Sequence, residues 1–213
     1  MSVELVTATP DGDLLVVNAA RCSFDKQKDV LDDKDIKLLN YLAKHKHLLP
    51  FRHPHVTLRV TMPIFVARQL GKHQVGMSMS EVSRRYVKSE PDFYEFEDLR
   101  PAAENVKQGS ANETHTNSDK LLESVRLVEL FGLDTYSSLI EEGVCAEQAR
   151  AVLPQSMMTT VVWTGSMLSW FQLYKQRTES HTQKETREYA FKIGEILVDI
   201  YPNSWEALCT HCL

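Results

Sequence analysis

The sequence predicts an α+β protein: a mixed or antiparallel sheet packed with helices, with a helical C-terminal half. Three observations lead there. Residues 55–61 (HVTLRVT) alternate as a half-buried strand does, and 157–163 (MMTTVVW) is rich in β-formers. From about residue 119 onward, apolar side chains recur at helical spacing. Strands and helices also mix without regular βαβ repetition, and no internal repeat is visible.

Taken in order, residues 13–18 (DLLVVN) read as a strand. Asp32 and Asp33 are placed to cap a helix carrying Ile36, Leu39 and Ala43. Pro50 and Pro54 punctuate a histidine-rich loop, and the 55–61 strand follows. Pro63 suits the first position of a helix over about 64–74, because a first-turn N–H has no intrahelical partner. Residues 77–87 read as irregular, then extended. Residues 100–119 are polar and predict a flexible loop. Leu121, Val125 and Val128 then share a helix face that Gly132 would stop. A second short helix ends at Gly143, and a third runs from Ala146 to Leu153 before Pro154. After the 157–163 strand comes a helix over 166–177. Thr182 and Glu185 have capping-box spacing for the last helix, whose stripe is Tyr189, Ile193, Ile196, Leu197 and Ile200.

Composition bounds the function. The 213 residues are 43% hydrophobic and 25% charged, as in ordinary globular proteins. No apolar run is long enough for a bilayer, and the N-terminus lacks the pattern of a secretory signal, so the expected compartment is the cytoplasm. A net charge of −5 argues against polymeric nucleic acid as a partner but leaves room for a small phosphate ligand. The four cysteines suggest no disulfide framework, and Cys209 and Cys212, flanking His211, are expected on an inert, frayed tail.

The densest cluster of reactive side chains is 68–87 (RQLGKHQVGMSMSEVSRRYV). On a helix, Gln69, Lys72 and His73 would share a face. In a strand, Glu81, Ser83 and Arg85 would project to one side. Cations and a hydroxyl suit a phosphate; an amide and a carboxylate suit a nucleobase or ribose. The alternative is a solvated charged strip over a core of Val75, Met77, Met79 and Val82. In RTESH (177–181), Arg177 and His181 would face one ligand if the helix continued; an ion-pair role fits equally. The four histidines of 45–55 raise zinc, but their spacing matches no helical ligand pair, so no metal is expected. Walker A, G-x-G-x-x-G and G-x-S-x-G sequences are absent.

Several segments together resemble the flavin-dependent thymidylate synthases. PIFVARQLGKHQ…EVSRRYV is similar to that family's signature, an R-H-R triplet, a spacer and a serine. AARCSF (19–24) is similar to its A-R-x-S element and HLLPFRH (47–53) to H-x-[ST]-P-F-E-H. ARAVLP (149–154) and RTESH follow in the family's order. The resemblance covers nearly the whole chain, as one domain over 1–213, apart from an insert over 88–118 and the tail. It departs at Lys72-His73-Gln74 for R-H-R, and the eight residues between Gln74 and Ser83 are one more than usual. Leu49 and Arg52 replace a hydroxyl and a Glu; Ser166 and Leu168 stand where Asn and Arg are usual. Such changes resemble variants of some large viruses and phages.

The resemblance implies reductive methylation of dUMP to dTMP with 5,10-methylenetetrahydrofolate, FAD and NADPH. No protein cysteine needs to attack dUMP, consistent with the absence of Pro-Cys-His from the sequence. It implies dUMP binding by Gln69, Lys72, Glu81, Ser83, Arg85, Arg150 and Arg177, with Arg177 as the catalytic cation at the uracil. Ser23, His47, His73, Gln74, Gln172 and His181 would contact FAD, with His47 and Tyr86 close to the flavin or folate. A homotetramer with shared active sites is implied as well. Two alternatives remain open: a flavin- and folate-dependent dUMP hydroxymethylase, and a nucleotide-binding homologue without catalysis.

Overall fold

The structure is a computed structural model that describes residues 2–103 and 109–213. Among them is one four-stranded sheet of β1 (Ser2–Ala8), β2 (His55–Pro63), β3 (Met77–Glu81) and β4 (Met158–Ser166), in the order β1-β2-β4-β3. Thr57 Oγ1 lies 2.9 Å from Thr164 Oγ1, and Thr61 Oγ1 lies 2.9 Å from Thr160 Oγ1. Climbing β2 therefore descends β4, which makes the pair antiparallel. The helices are α1 (Gly12–Arg21), α2 (Asp33–Lys44), α3 (Ile64–Leu70), α4 (Ser118–Glu141), α5 (Ala146–Ala149), α6 (Met167–Arg177), α7 (Lys184–Ile200) and α8 (Pro202–Cys212). The expected α+β class holds. Two compact units form: residues 61–69 with 81–161, and residues 2–60 with 70–80 and 162–213.

The second of these units carries the aromatic core. Trp163 and Trp170 meet edge to face at 5.0 Å, and buried Trp170 donates its indole N–H to Val56 O at 3.1 Å. Buried aromatics of this kind stabilise through area and geometry together, provided the N–H finds a partner. In α2 the expected cap is present in full: Asp32 accepts from Lys34 N and Asp35 N, and Asp35 accepts from Asp32 N. Leu39 and Ala43 are buried, whereas Ile36 is exposed.

Three sequence expectations fail in this unit. Residues 13–18 lie in helix α1, not in a strand. Asp13 is buried because its carboxylate accepts from Asn203 N and Ser204 N, the free N–H groups at the start of α8. The chain beyond 201 is no frayed tail but helix α8, with Trp205, Ala207, Leu208 and Cys212 buried. Thr182 does not cap α7; its hydroxyl turns back to Gln176 O, and Gln183 takes the cap position. In α7 the buried stripe is Tyr189, Ile193 and Leu197.

The other unit holds α3, α4 and α5. Pro63 closes β2 instead of opening α3, and α3 stops at Leu70. Helix α4 runs straight through Gly132, where a stop was expected. A Cβ there would come within 3.1 Å of Val152 O and 3.2 Å of Pro154 Cδ, so the glycine serves close packing. The face carrying Leu121 and Val128 points outward, and Leu122 and Tyr136 are buried instead. Residues 146–153 split into α5 and a 3-10 turn, Arg150–Val152. Of the expected 100–119 loop, 104–108 lie outside the described residues; the others are irregular up to α4, with an isolated bridge between Ala102 and Ser110. Upstream, Phe65 stacks on Phe96 at 5.7 Å and meets Tyr94 edge-on.

Candidate active site

Where α3 ends, residues 71–76 turn sharply and put Lys72, His73 and Gln74 on a turn. Gln69, Lys72 and His73 therefore do not share one helix face, contrary to expectation. Gly76 makes the turn possible: its φ is +68°, and an added Cβ would collide with Ser169 Oγ. The turn thus rests on the start of α6. There Ser166 is the N-cap, its Oγ accepting from Ser169 N at 3.2 Å and lying 2.8 Å from Ser169 Oγ.

The last residue of α6 returns to the same turn. Arg177 Nε donates to His73 Nε2 at 2.9 Å. Burial, and then the Arg177 cation, push the His73 pKa from 6.5 down to about 4. His73 is therefore neutral at pH 7; with Nε2 accepting, its proton sits on Nδ1. Burial also draws the Arg177 pKa downward, though a guanidinium remains charged. Because α6 ends at Arg177, that residue and His181 do not share a helix face; His181 lies 3.3 Å from Glu179 instead.

Between the turn and α6 opens a cavity of about 600 Å³, lined among others by Arg52, Lys72, His73, Gln74, Ser169 and Gln172. That volume lies within the roughly 300–1,000 Å³ usual for ligand sites. Three expected cofactor residues, His73, Gln74 and Gln172, are brought together here with Lys72. Ser23 sits on an exposed 3-10 turn, and His47 stacks at 6.2 Å on Tyr41; neither they nor His181 line this cavity. Sequence reasoning missed Arg52, His55 and Ser169 as lining residues. The S-x-x-S spacing of Ser166 and Ser169 was a readable N-cap signal; for Arg52 only its departure from the motif stood out.

The other unit holds the remaining expected substrate residues. Glu81 ends β3 and accepts from Thr159 Oγ1 at 2.8 Å. Ser83–Val87 is a turn, with Ser83 O accepting from Tyr86 N at 3.0 Å, so Glu81, Ser83 and Arg85 are not on one strand face as expected. Arg85 pairs with Glu147 and lies 5.8 Å over the Tyr86 ring. Arg150 opens the 3-10 turn after α5 and is exposed. Gln69 lies in α3. Among the described residues, no group of three or more His, Cys, Asp or Glu side chains is placed to hold a metal ion.

Residues 4–203 match the model of the thymidylate synthase complementing protein family. The chain belongs to that family. Among members of this family, the flavin-dependent thymidylate synthase of one Thermus thermophilus strain is 36% identical over 211 residues, 99% of this chain and 76% of that protein. That of Thermotoga neapolitana is 37% identical over 206 residues, 96% of this chain and 89% of its own length. A solved structure of the UMP/dUMP methylase PolB from Streptomyces cacaoi, bound with 5-Br dUMP, superposes with a TM-score of 0.88 at 27% identity. It covers 98% of this chain and 94% of that one.

Proposed function

We propose that this protein is a flavin-dependent thymidylate synthase: it methylates dUMP to dTMP with 5,10-methylenetetrahydrofolate, FAD and NADPH. The observation that carries the reading is the Arg177–His73 bond beside the 600 Å³ cavity, because it joins two family motifs far apart in sequence. No carboxylate is among the described residues lining that cavity. Guanidinium, ammonium, amide and hydroxyl donors dominate instead, a set that fits the pyrophosphate of FAD.

When bound, FAD reduced by NADPH supplies the hydride that completes the methyl group, and the folate supplies the carbon. The chain's own residues bind and polarise. Arg177 places a fixed cation at the uracil carbonyl, where negative charge develops as the ring attacks. His73 accepts from Arg177 Nε and so helps to orient the guanidinium. Lys72 holds the substrate phosphate as a point charge, and Ser83, Arg85 and Arg150 add donors to it. Gln69 and Glu81 contact the nucleoside. Ser23, His47, His73, Gln74, Gln172 and His181 serve the cofactor. The exposure of Leu127, Val128, Leu130 and Phe131 on α4, each at 60–74%, supports assembly into a homotetramer that shares active sites. The whole chain, 1–213, acts as one catalytic unit in the cytoplasm; among the described residues no helix is long and apolar enough to cross a membrane.

The test is an absorbance spectrum of purified protein, anaerobic bleaching by NADPH, and mass spectrometry of the product. Because the Streptomyces protein is a UMP/dUMP methylase, both nucleotides are assayed. A yellow protein, bleached by NADPH and yielding dTMP, is expected. A colourless protein that takes up no FAD, or a product bearing a hydroxymethyl group, overturns the reading.

A further inference from the structure

Arg52 belongs to none of the roles assigned above, yet it lines the cavity beside the 71–76 turn. It ends the 3-10 turn Leu49–Arg52, which is pinned from beneath by fully buried Phe51. Arg52 is itself exposed and has no ion-pair partner among the described residues. The same cavity is lined by Leu168, 6% exposed, in the first turn of α6, and by the neutral amide of Gln74. The chain departs from the family pattern at all three positions. A carboxylate has become a guanidinium at 52, and guanidinium groups have become an apolar chain at 168 and an amide at 74. The structure puts these three changes on the walls of one space. Loss of cations at two lining positions is matched by a gained cation, and by removal of an anion, at a third.

We propose that Arg52 anchors the pyrophosphate of the flavin dinucleotide, in place of the cation absent at position 168. The inference rests on the FAD reading above. Its chemistry is a planar fork of N–H donors meeting adjacent phosphoryl oxygens, which an ammonium on a flexible stem reproduces only in charge. A carboxylate at 52 would repel the same group. Lys72, the other fixed cation of the cavity, follows the family's basic position and is kept for the substrate phosphate.

The experiment measures FAD affinity of the full-length protein by quenching of flavin fluorescence, with dUMP affinity measured in parallel. Circular dichroism confirms folding of each variant; surface exposure of Arg52 makes folding secure for the substitutions at 52. Arg52→Gln is expected to weaken FAD at least tenfold, Arg52→Glu further, and Arg52→Lys less than either. Dissociation constants for dUMP stay within about threefold. Adding Leu168→Arg to Arg52→Gln is expected to recover most of the lost affinity, since it returns a cation to the same cavity. Unchanged FAD affinity in Arg52→Gln overturns the proposal while leaving the flavin reading intact, as does a loss confined to dUMP. Failure of the unmodified protein to bind FAD at all overturns both.

Discussion

Arg177 Nε donates to His73 Nε2 at 2.9 Å, tying the last residue of α6 to a turn 104 positions earlier in the chain. A protonated His73 could not accept that bond and would repel the guanidinium. The pairing therefore requires a neutral imidazole, and half-burial beside a cation supplies one by lowering its pKa to about 4. The folded value lies below the unfolded 6.5, so the unfolded chain binds the proton more readily. The pair's contribution to stability is complete above pH 6.5 and is lost as pH falls from there toward 4. Histidine NMR titration should show the His73 ring changing charge near pH 4. In Arg177→Gln that value should rise only part of the way to 6.5, because burial is the larger cause. An unmodified protein in which His73 titrates near 6.5 would show that the ring is not held neutral by burial beside the cation.

Removing each partner separates binding from positioning. Arg177→Ala deletes the cation expected at the uracil, and loss of one such fixed charge costs turnover about 10²–10³-fold. The fold should persist, with thermal unfolding lowered only by loss of the His73 pairing. His73→Leu leaves the cation but removes the acceptor of its Nε–H; it should lower kcat more than it raises the KM for dUMP. Near-normal turnover by Arg177→Ala would remove that residue from the reaction.

How much of this was legible in the sequence depends on what each residue answers to. Asp32 caps α2 as expected, because a capping box is closed by residues three apart and needs nothing distant. Strands β2 and β4 are legible for a similar reason: their alternation is local. By contrast, 13–18 resembles a strand because Leu14, Leu15, Val16 and Val17 are contiguous. It is helical, and its Asp13 accepts from the start of α8, a partner 190 positions away that no local pattern reveals. Gly132 has the place of a stop, yet it is a contact, and the contacting atoms belong to Val152 and Pro154. At the site, motifs supply residue types and miss geometry. Lys72 and His73 are expected on a helix, and Ser83 and Arg85 on a strand; both pairs lie on turns. The His73–Arg177 bond is invisible in the sequence because neither position constrains the other locally.

Arg85 is held by Glu147 in an ion pair whose side chains are about half exposed. Exposed pairs are worth about 0.2–1 kcal/mol. If Arg85 binds the substrate phosphate, the carboxylate competes for the same guanidinium. Glu147→Gln should therefore tighten dUMP by about 1.4–5-fold, the same energy expressed as a ratio. The gain should shrink as salt screens the pair. Calorimetric titration at low and high ionic strength reads both effects; weaker binding in Glu147→Gln would mean that Arg85 needs Glu147 to stay in place.

The C-terminal segment gives the sharpest test of the fold, because the sequence alone suggests a loose tail. Trp205 is 3% exposed, with Phe171 5.9 Å and Tyr174 5.4 Å from its ring, both edge-on. Asp13 ties down the start of the same helix through Asn203 and Ser204. Truncating a buried tryptophan costs about 3–5 kcal/mol, through lost transfer energy and the cavity left behind. Trp205→Ala should lower the denaturant midpoint sharply. Asp13→Asn should cost less, because an amide oxygen still accepts from one of the two backbone donors and only the charge at the helix start is lost. The ordering follows from how each residue is held: a packed helix loses more from an emptied core position than from a weakened cap. Equal midpoints for Trp205→Ala and unmodified protein would show that α8 is not docked, and would return 202–213 to a frayed tail.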